Sequence, residues 1–239
     1  MENILEAKQA ITDSKNIYLI PSYEPEAIAS TLALFYTLKE LNKNVNLIIE
    51  SLPENLKFLS PSLDFISYPK NFVISVPNKI AGVSQIYYEK NEEALKIHLT
   101  IENGNIKKDN ISFYFSEAKP DLIITIGIKD YTKELGGRLD SFGFLLDSPI
   151  LNIDNSQENK KFGRINLLDN LSLAESVFHL IKGVGGNLNK NLSLCLLSGI
   201  VFYTKNFKEN ITADIFQIAS DLMKNGADLK EIFKNIKNN

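Results

Sequence analysis

The sequence predicts an α/β fold: a doubly wound, mostly parallel sheet flanked by helices, with an inserted antiparallel β meander. Three observations carry that expectation. Ile17-Tyr-Leu-Ile20 is an apolar strand, followed after a short loop by a helix that is apolar on nearly every side from Ala27 to Leu38 and so needs cover from a sheet. The runs Pro120-Asp-Leu-Ile-Ile-Thr-Ile-Gly127 and Pro149-Ile-Leu-Asn-Ile-Asp154 do not alternate, as befits strands buried on both faces. Between Phe72 and Phe115 the apolar residues alternate instead, the mark of strands with one face covered.

The first element is a helix within residues 1–15, where Ile4, Leu5, Ala7, Ala10 and Ile11 form one apolar face and Asp13-Ser-Lys-Asn16 ends it. The helix beginning at Ala27 stops at Asn42-Lys-Asn44, and Val45-Asn-Leu-Ile-Ile49 completes a βαβ unit. Pro53, Pro61 and Pro69 punctuate the next stretch, where Leu56–Leu59 fits a short helix and Phe65–Tyr68 a short strand. The alternating segments are Phe72–Val76, Ser84–Tyr88, Leu95–Ile101 and Ile111–Phe115, with Asn103-Gly104 as a hairpin signal between the last two. Tyr131–Leu135 is a short helix ended by Gly136-Gly137, and Asn155–Gly163 is a polar loop. Ser172 and Glu175 form a capping box for a helix ending near Gly183. Helices at about 188–202 and 212–224 come next, Gly226 closing the second, and Asp228 and Glu231 open a last one over Ile232–Ile236.

With 239 residues and 44% apolar content, the chain can bury a substantial core as one domain. No linker or repeat divides it, so residues 72–115 read as a β-rich subdomain inserted into a single domain of residues 1–239. The longest apolar run, Leu194–Tyr203, is interrupted by Ser198 and Gly199, and the N-terminus lacks the features of a signal peptide. Cys195, the lone cysteine, sits in that run as a core residue. These features point to a cytoplasmic protein without membrane association. The net charge of −3 argues against a duplex nucleic-acid partner, and Arg138 and Arg164 are the only arginines available for bidentate phosphate contacts.

In an open parallel sheet, ligands bind outside the carboxyl ends of the strands. Glu24 and Glu26 lie just after the first strand, Gly127 to Asp130 after the second apolar run, and Asp154, Asn155 and Ser156 at the end of the third. Convergent carboxylates there suit Mg²⁺ or Mn²⁺, which acidify a bound water and polarise a phosphoryl oxygen. Acidic residues also occur after strands as turn formers, and Glu24 and Glu26 complement the electropositive start of their own helix. His98 alternates within a strand, His179 lies on the capped helix, and Cys195 has no histidine near it in sequence. Gly183-Val-Gly-Gly186 comes after a helix and reads as a C-cap and loop.

The order of motifs resembles the DHH phosphoesterase family, which includes single-strand exonucleases, short-oligonucleotide and cyclic-dinucleotide hydrolases and a pyrophosphatase branch. The first family motif corresponds to Ile20, three residues, Glu24-Pro-Glu26, then Ala27-Ile-Ala-Ser30-Thr-Leu-Ala33-Leu34. The second resembles Asp121–Gly127, and the signature strand with its subsequent Phe-Gly resembles Ile153-Asp154-Asn155-Ser156 and Phe162-Gly163. Ala174-Glu175, Gly199-Ile200, Tyr203-Thr204, Phe207 and Leu222-Met-Lys-Asn-Gly226-Ala227-Asp228 continue the match.

The resemblance implies a phosphodiester-hydrolase skeleton with degenerate chemistry. The family's metal-ligand positions fall on Ile20, Glu24, Glu26, Gly127, Asn155 and Tyr203, of which only the glutamates are good ligands. Two-metal hydrolysis needs cations clamped about 3.5–4 Å apart, which these residues cannot bridge. The resemblance therefore implies a binding or assembly module with no catalytic residue and a vestigial crevice for a nucleotide or short oligonucleotide. No cofactor is expected; one Mn²⁺ or Mg²⁺, if held, would take Glu24, Glu26 and Asp154. Asn155, Ser156, Arg164, Thr204 and Lys205 are the candidate ligand contacts. The DHH-associated C-terminal domain is expected to be absent. Two alternatives stand beside this: a weak single-metal phosphoesterase acting on short oligonucleotides or nucleotides, and a scaffold whose residues 72–115 receive a protein partner or a second copy of the chain.

Overall fold

In the computed structural model, which describes residues 2–49, 51–60, 70–117, 119–135 and 148–236, unbroken apolar runs become buried strands. The elements are α1 (Glu2–Asp13), β1 (Asn16–Pro21), α2 (Pro25–Glu40), β2 (Asn44–Leu47), β3 (Lys70–Ser75), β4 (Ala81–Lys90), β5 (Leu95–Gly104) and β6 (Ser112–Glu117). They continue through β7 (Leu122–Ile126), α3 (Tyr131–Leu135), β8 (Ile150–Asp154), β9 (Ile165–Leu168), α4 (Leu173–Gly183), α5 (Lys190–Tyr203), α6 (Ala213–Lys224) and α7 (Leu229–Ile236). A short 3₁₀ helix spans Glu54–Leu59. The chain divides into two compact units, Met1–Pro69 with Lys119–Asn239, and Lys70–Ala118.

The first unit is built on a five-stranded parallel sheet in the order β2-β1-β7-β8-β9, with Ile17 opposite Leu122 and Ile123 opposite Ile150. Helix α2 starts at Pro25, whose missing N–H and fixed φ suit a first helical position. Every residue from Ala27 to Leu38 is buried. The helix packs against α5 through the same core that holds Leu32, Phe35, Leu196 and Ile200. Truncating one of these side chains to alanine costs about 2–5 kcal/mol. Asn42 ends α2 in the left-handed region at φ 57, and the Lys43 N–H bonds the Leu38 carbonyl (2.9 Å). On the opposite sheet face Tyr18, Ile20, Ile123 and Ile128 pack with Leu135 of α3. Cys195 is buried and unpaired in disulfide. Among the described residues, no helix is long and apolar enough to cross a membrane.

Strand β9 lies outside the strands that periodicity marks. Four residues at a sheet edge are too few to show a period, and their parallel pairing to β8 supplies the order instead. The strand expected at Phe65–Tyr68 and the helix stop expected at Gly136-Gly137 lie outside the described residues.

The second unit is the expected antiparallel β insertion. Its four strands form two separate antiparallel pairs, β3 with β6 and β4 with β5, the inner hairpin nested within the outer pair. The hairpin tip is Asn91–Ala94, where Asn91 Oδ1 accepts from the N–H groups of Glu93 (3.1 Å) and Ala94 (2.8 Å). Asn103-Gly104, expected as a hairpin turn, closes the root of β5 instead. Asn103 Oδ1 accepts from the Gly82 N–H (3.1 Å), and Gly104 takes φ +82 opposite Ala81. A Cβ there would stand 2.1 Å from the Ile80 carbonyl oxygen, so crowding and backbone sign both require glycine.

Candidate functional site

The strand order reverses between β1 and β7, so their carboxyl ends mark where an open sheet of this kind receives a ligand. Gly127, the residue after β7, has φ +72. A Cβ on it would meet Ser22 Oγ at 2.8 Å, Ala27 Cβ at 3.0 Å and Leu173 Cδ1 at 3.1 Å. The space beside Gly127 is therefore filled by neighbours from the β1–α2 loop, α2 and α4.

Glu26, in the first turn of α2, serves a different helix from its own. Its Oε1 accepts from the N–H groups of Leu173 (2.6 Å) and Ala174 (3.4 Å). Ser172 Oγ accepts from the Glu175 N–H (3.0 Å), while a Glu175 carboxylate oxygen accepts from the Ser172 N–H (3.0 Å), the expected capping box. The first three N–H groups of α4 are thus held by side-chain oxygens of Glu26 and Ser172. Burial pushes the Glu26 carboxyl up to about 7, against the pull of its two N–H bonds, with Glu175 and Glu24 adding repulsion. Burial also raises the Tyr203 phenol, and the charges of Glu26 and Glu175 add to the effect. Glu24 is exposed at the N-cap of α2 and makes no side-chain cap bond.

Asp154 anchors a second arrangement. It is buried at the end of β8, where its Oδ2 accepts from Asn159 Nδ2 (2.7 Å) and its carboxylate also accepts from the N–H groups of Asn155 and Ser156. Asn159 further donates to the Ile128 carbonyl (2.9 Å) and accepts from Asn152 Nδ2 (3.0 Å) and the Lys161 N–H (2.8 Å). Thr125 Oγ1 donates to Asn152 Oδ1 (2.9 Å). A hydrogen-bonded chain from Thr125 through Asn152 and Asn159 to Asp154 therefore ties β7, β8 and the next loop together. Burial raises the Asp154 carboxyl despite these bonds and the charge of Lys129.

Outside that chain the end of the sheet stays open. A hollow of about 280 Å³ is lined by Asn155, Ser156, Lys161 and Asn170. A larger hollow of about 850 Å³ beside α1 and α4 shares Lys161, Leu168, Asp169 and Asn170 with it, and takes in Arg164 and His179.

Of the expected ligand contacts, Asn155 and Ser156 line the smaller hollow at the carboxyl end of β8. Arg164 lies instead at the amino end of β9, where it lines the larger hollow and another of about 470 Å³ beside Asp121 and Pro149. Thr204 is a correction. It is fully buried, its Oγ1 donating to the Ile200 carbonyl (2.7 Å) and accepting from the Phe207 N–H (3.0 Å), so it fastens the turn after α5 and faces no ligand. Lys205 is exposed at φ 47, paired to Glu209 (2.7 Å), and lines neither hollow. The carboxylates Glu24, Glu26 and Asp154 do not converge: among the described residues, no three His, Cys, Asp or Glu side chains gather as a metal site. This donor set does not fit a pair of bridged divalent ions. Thr125, Asn152 and Asn159 escaped the sequence reading. Their signal is a polar residue interrupting each apolar strand, at Thr125 and Asn152, with an asparagine in the next loop.

No family model and no curated protein matches the chain. Among solved structures, an exopolyphosphatase-related protein from Bacteroides fragilis matches 100% of this chain with a TM-score of 0.70 and 19% identity. The likeness is one of fold. This chain spans 61% of that protein's length, and the shared architecture agrees with the α/β class expected from sequence.

Proposed function

We propose that this chain is a catalytically degenerate relative of the DHH phosphoesterases, acting in the cytoplasm as a binding module for a nucleotide or short oligonucleotide. The observation that carries this is the Glu26 carboxylate seated on the Leu173 and Ala174 N–H groups. A carboxylate committed to a helix end, beside a Gly127 with no room for a side chain, supports binding without two-metal hydrolysis. The ligand lies along β9, with a phosphate at Lys161, which lines both hollows. The Asn155 and Ser156 side chains supply hydrogen bonds at the carboxyl end of β8, and Arg164 supplies a second charge at the amino end of β9. Mn²⁺ or Mg²⁺ enters only as a hydrated counter-ion of that phosphate.

Calorimetric titration with nucleoside phosphates, dinucleotides and cyclic dinucleotides, with and without Mn²⁺, tests this. Binding heat that is lost in Arg164→Ala and kept in Lys205→Ala, with no product formed, is the expected result. Mn²⁺-dependent turnover abolished by Glu26→Gln establishes an enzyme instead, and absence of heat with every compound removes the binding role.

A further inference from the structure

The β4–β5 hairpin has two faces of opposite character. The register places Tyr87 opposite His98 and Glu89 opposite Lys96 on one side, where the Tyr87 and His98 rings stack at 4.5 Å. The alternate positions pair Ile86 with Leu99 and Tyr88 with Ile97, and continue to Leu95 and Ile101. That side is uncovered: Ile86 is 71% exposed, Tyr88 72%, Leu95 60%, Ile97 48% and Ile101 36%. The only charged side chain it carries is Lys90, at the tip. A two-stranded ribbon is marginal in water unless its apolar face is packed against something.

We propose that this face is covered by the same face of a second copy of the chain, the two ribbons stacking about a two-fold axis into a four-stranded sandwich. At roughly 100 Å² of exposed surface per side chain, the six apolar residues offer about 600 Å² per copy. That makes ~1,200 Å² for the pair, the lower bound of specific interfaces. An isologous pairing sets apolar centre on apolar centre and sends the two Lys90 ammonium groups to opposite ends, so no like charges meet. Pairing through the strand edges leaves the apolar face wet, which favours stacking of the faces. Between Ala81 and Gly104 two lysines stand against four glutamates, two of them, Glu92 and Glu93, at the tip. That balance repels a polyanion or an anionic lipid surface.

Sedimentation equilibrium on the full chain, with light scattering alongside, tests the proposal. The expected result is a species of twice the 26.9 kDa chain mass. Ile97→Glu raises its dissociation constant at least ~100-fold, because the symmetric interface meets the change twice. Thr100→Glu, on the opposite face, leaves it unchanged. Far-ultraviolet dichroism and the melting transition confirm that both variants are folded. A wild-type chain monomeric to about 100 μM overturns the proposal, and so does a dimer indifferent to Ile97→Glu. Binding of a monomeric chain to neutral lipid vesicles overturns it by assigning the face to a bilayer.

Discussion

The two ends of one parallel sheet edge have been put to opposite uses. At the switch between β1 and β7, Gly127 is hemmed in by Ser22, Ala27 and Leu173, and Glu26 is taken up by the start of α4. At the carboxyl end of β8, a buried chain of amides and one carboxylate holds the loop from behind while Asn155, Ser156 and Lys161 face open hollows. The larger of these runs along β9 to Arg164 at its amino end. Topology supplies a crevice at the first place, where the strand order reverses, and loop and strand-edge side chains shape the second. Which of them admits a ligand is decided by a few side chains: a carboxylate that satisfies N–H groups of the protein closes its end, and one bonded within its own loop leaves the surface beyond it free.

The strongest way to break the comparison is to reopen the closed end. Gly127→Asp places a side chain at positive φ against three atoms within 3.1 Å. We expect a loss of about 3 kcal/mol or more in chemical denaturation. A variant of wild-type stability that also gains Mn²⁺ affinity shows that end to be open after all.

Glu26→Gln comes next. A carboxyl whose ordinary value is 4.5 but which titrates near 7 in the folded chain retains a proton that the unfolded chain gives up between those values. Stability therefore falls as pH rises from about 4.5 to 7, and the loss, about 3 kcal/mol at most, is complete above 7. Glutamine keeps an oxygen for the Leu173 N–H and removes the ionisation. Denaturation midpoints at pH 5 and pH 8 should therefore converge in the variant, chiefly by a gain at pH 8. An unchanged pH slope shows that another group sets it.

Asn159→Ala sharpens the contrast from the open side. It removes four hydrogen bonds and leaves the Ile128 carbonyl, Asp154 and Asn152 short of partners in a buried place. The expected cost is about 2 kcal/mol, together with weaker ligand binding as the loop loosens. A variant with full affinity and normal stability shows the chain of amides to be dispensable.

The architecture was legible wherever burial leaves a trace in composition. Leu122–Ile126 and Ile150–Asp154 are apolar without alternation because parallel strands are covered on both faces, and Ser172 and Glu175 announce their capping box within four residues. What stayed hidden depends on partners far away in sequence. Glu26 reads as a charge on its own helix, but its hydrogen bonds are to residues 147 and 148 positions on. Motif register locates Thr204 yet says nothing of which way its hydroxyl faces, and the structure turns it inward to the Ile200 carbonyl. Asn103-Gly104 has the composition of a turn and is used at a strand root, because glycine answers crowding as readily as it answers a tight bend.

The smallest structural effect tests the open end most directly. Arg164 is exposed and lines the larger hollow, so replacing it with alanine removes no buried contact, and stability should change by less than about 0.5 kcal/mol. If its guanidinium meets a phosphate, the lost charge-assisted hydrogen bond weakens affinity by about tenfold or more. Arg164→Lys separates the two parts of that contact: a lysine retains the charge but not the planar pair of donors, so a partial rescue identifies bidentate geometry and a full rescue identifies charge alone. Salt provides the independent check, because a phosphate contact weakens as ionic strength rises and a contact to a base or sugar does not. Affinity unchanged in both variants and insensitive to salt moves the ligand away from Arg164 and leaves the two ends of the sheet alike.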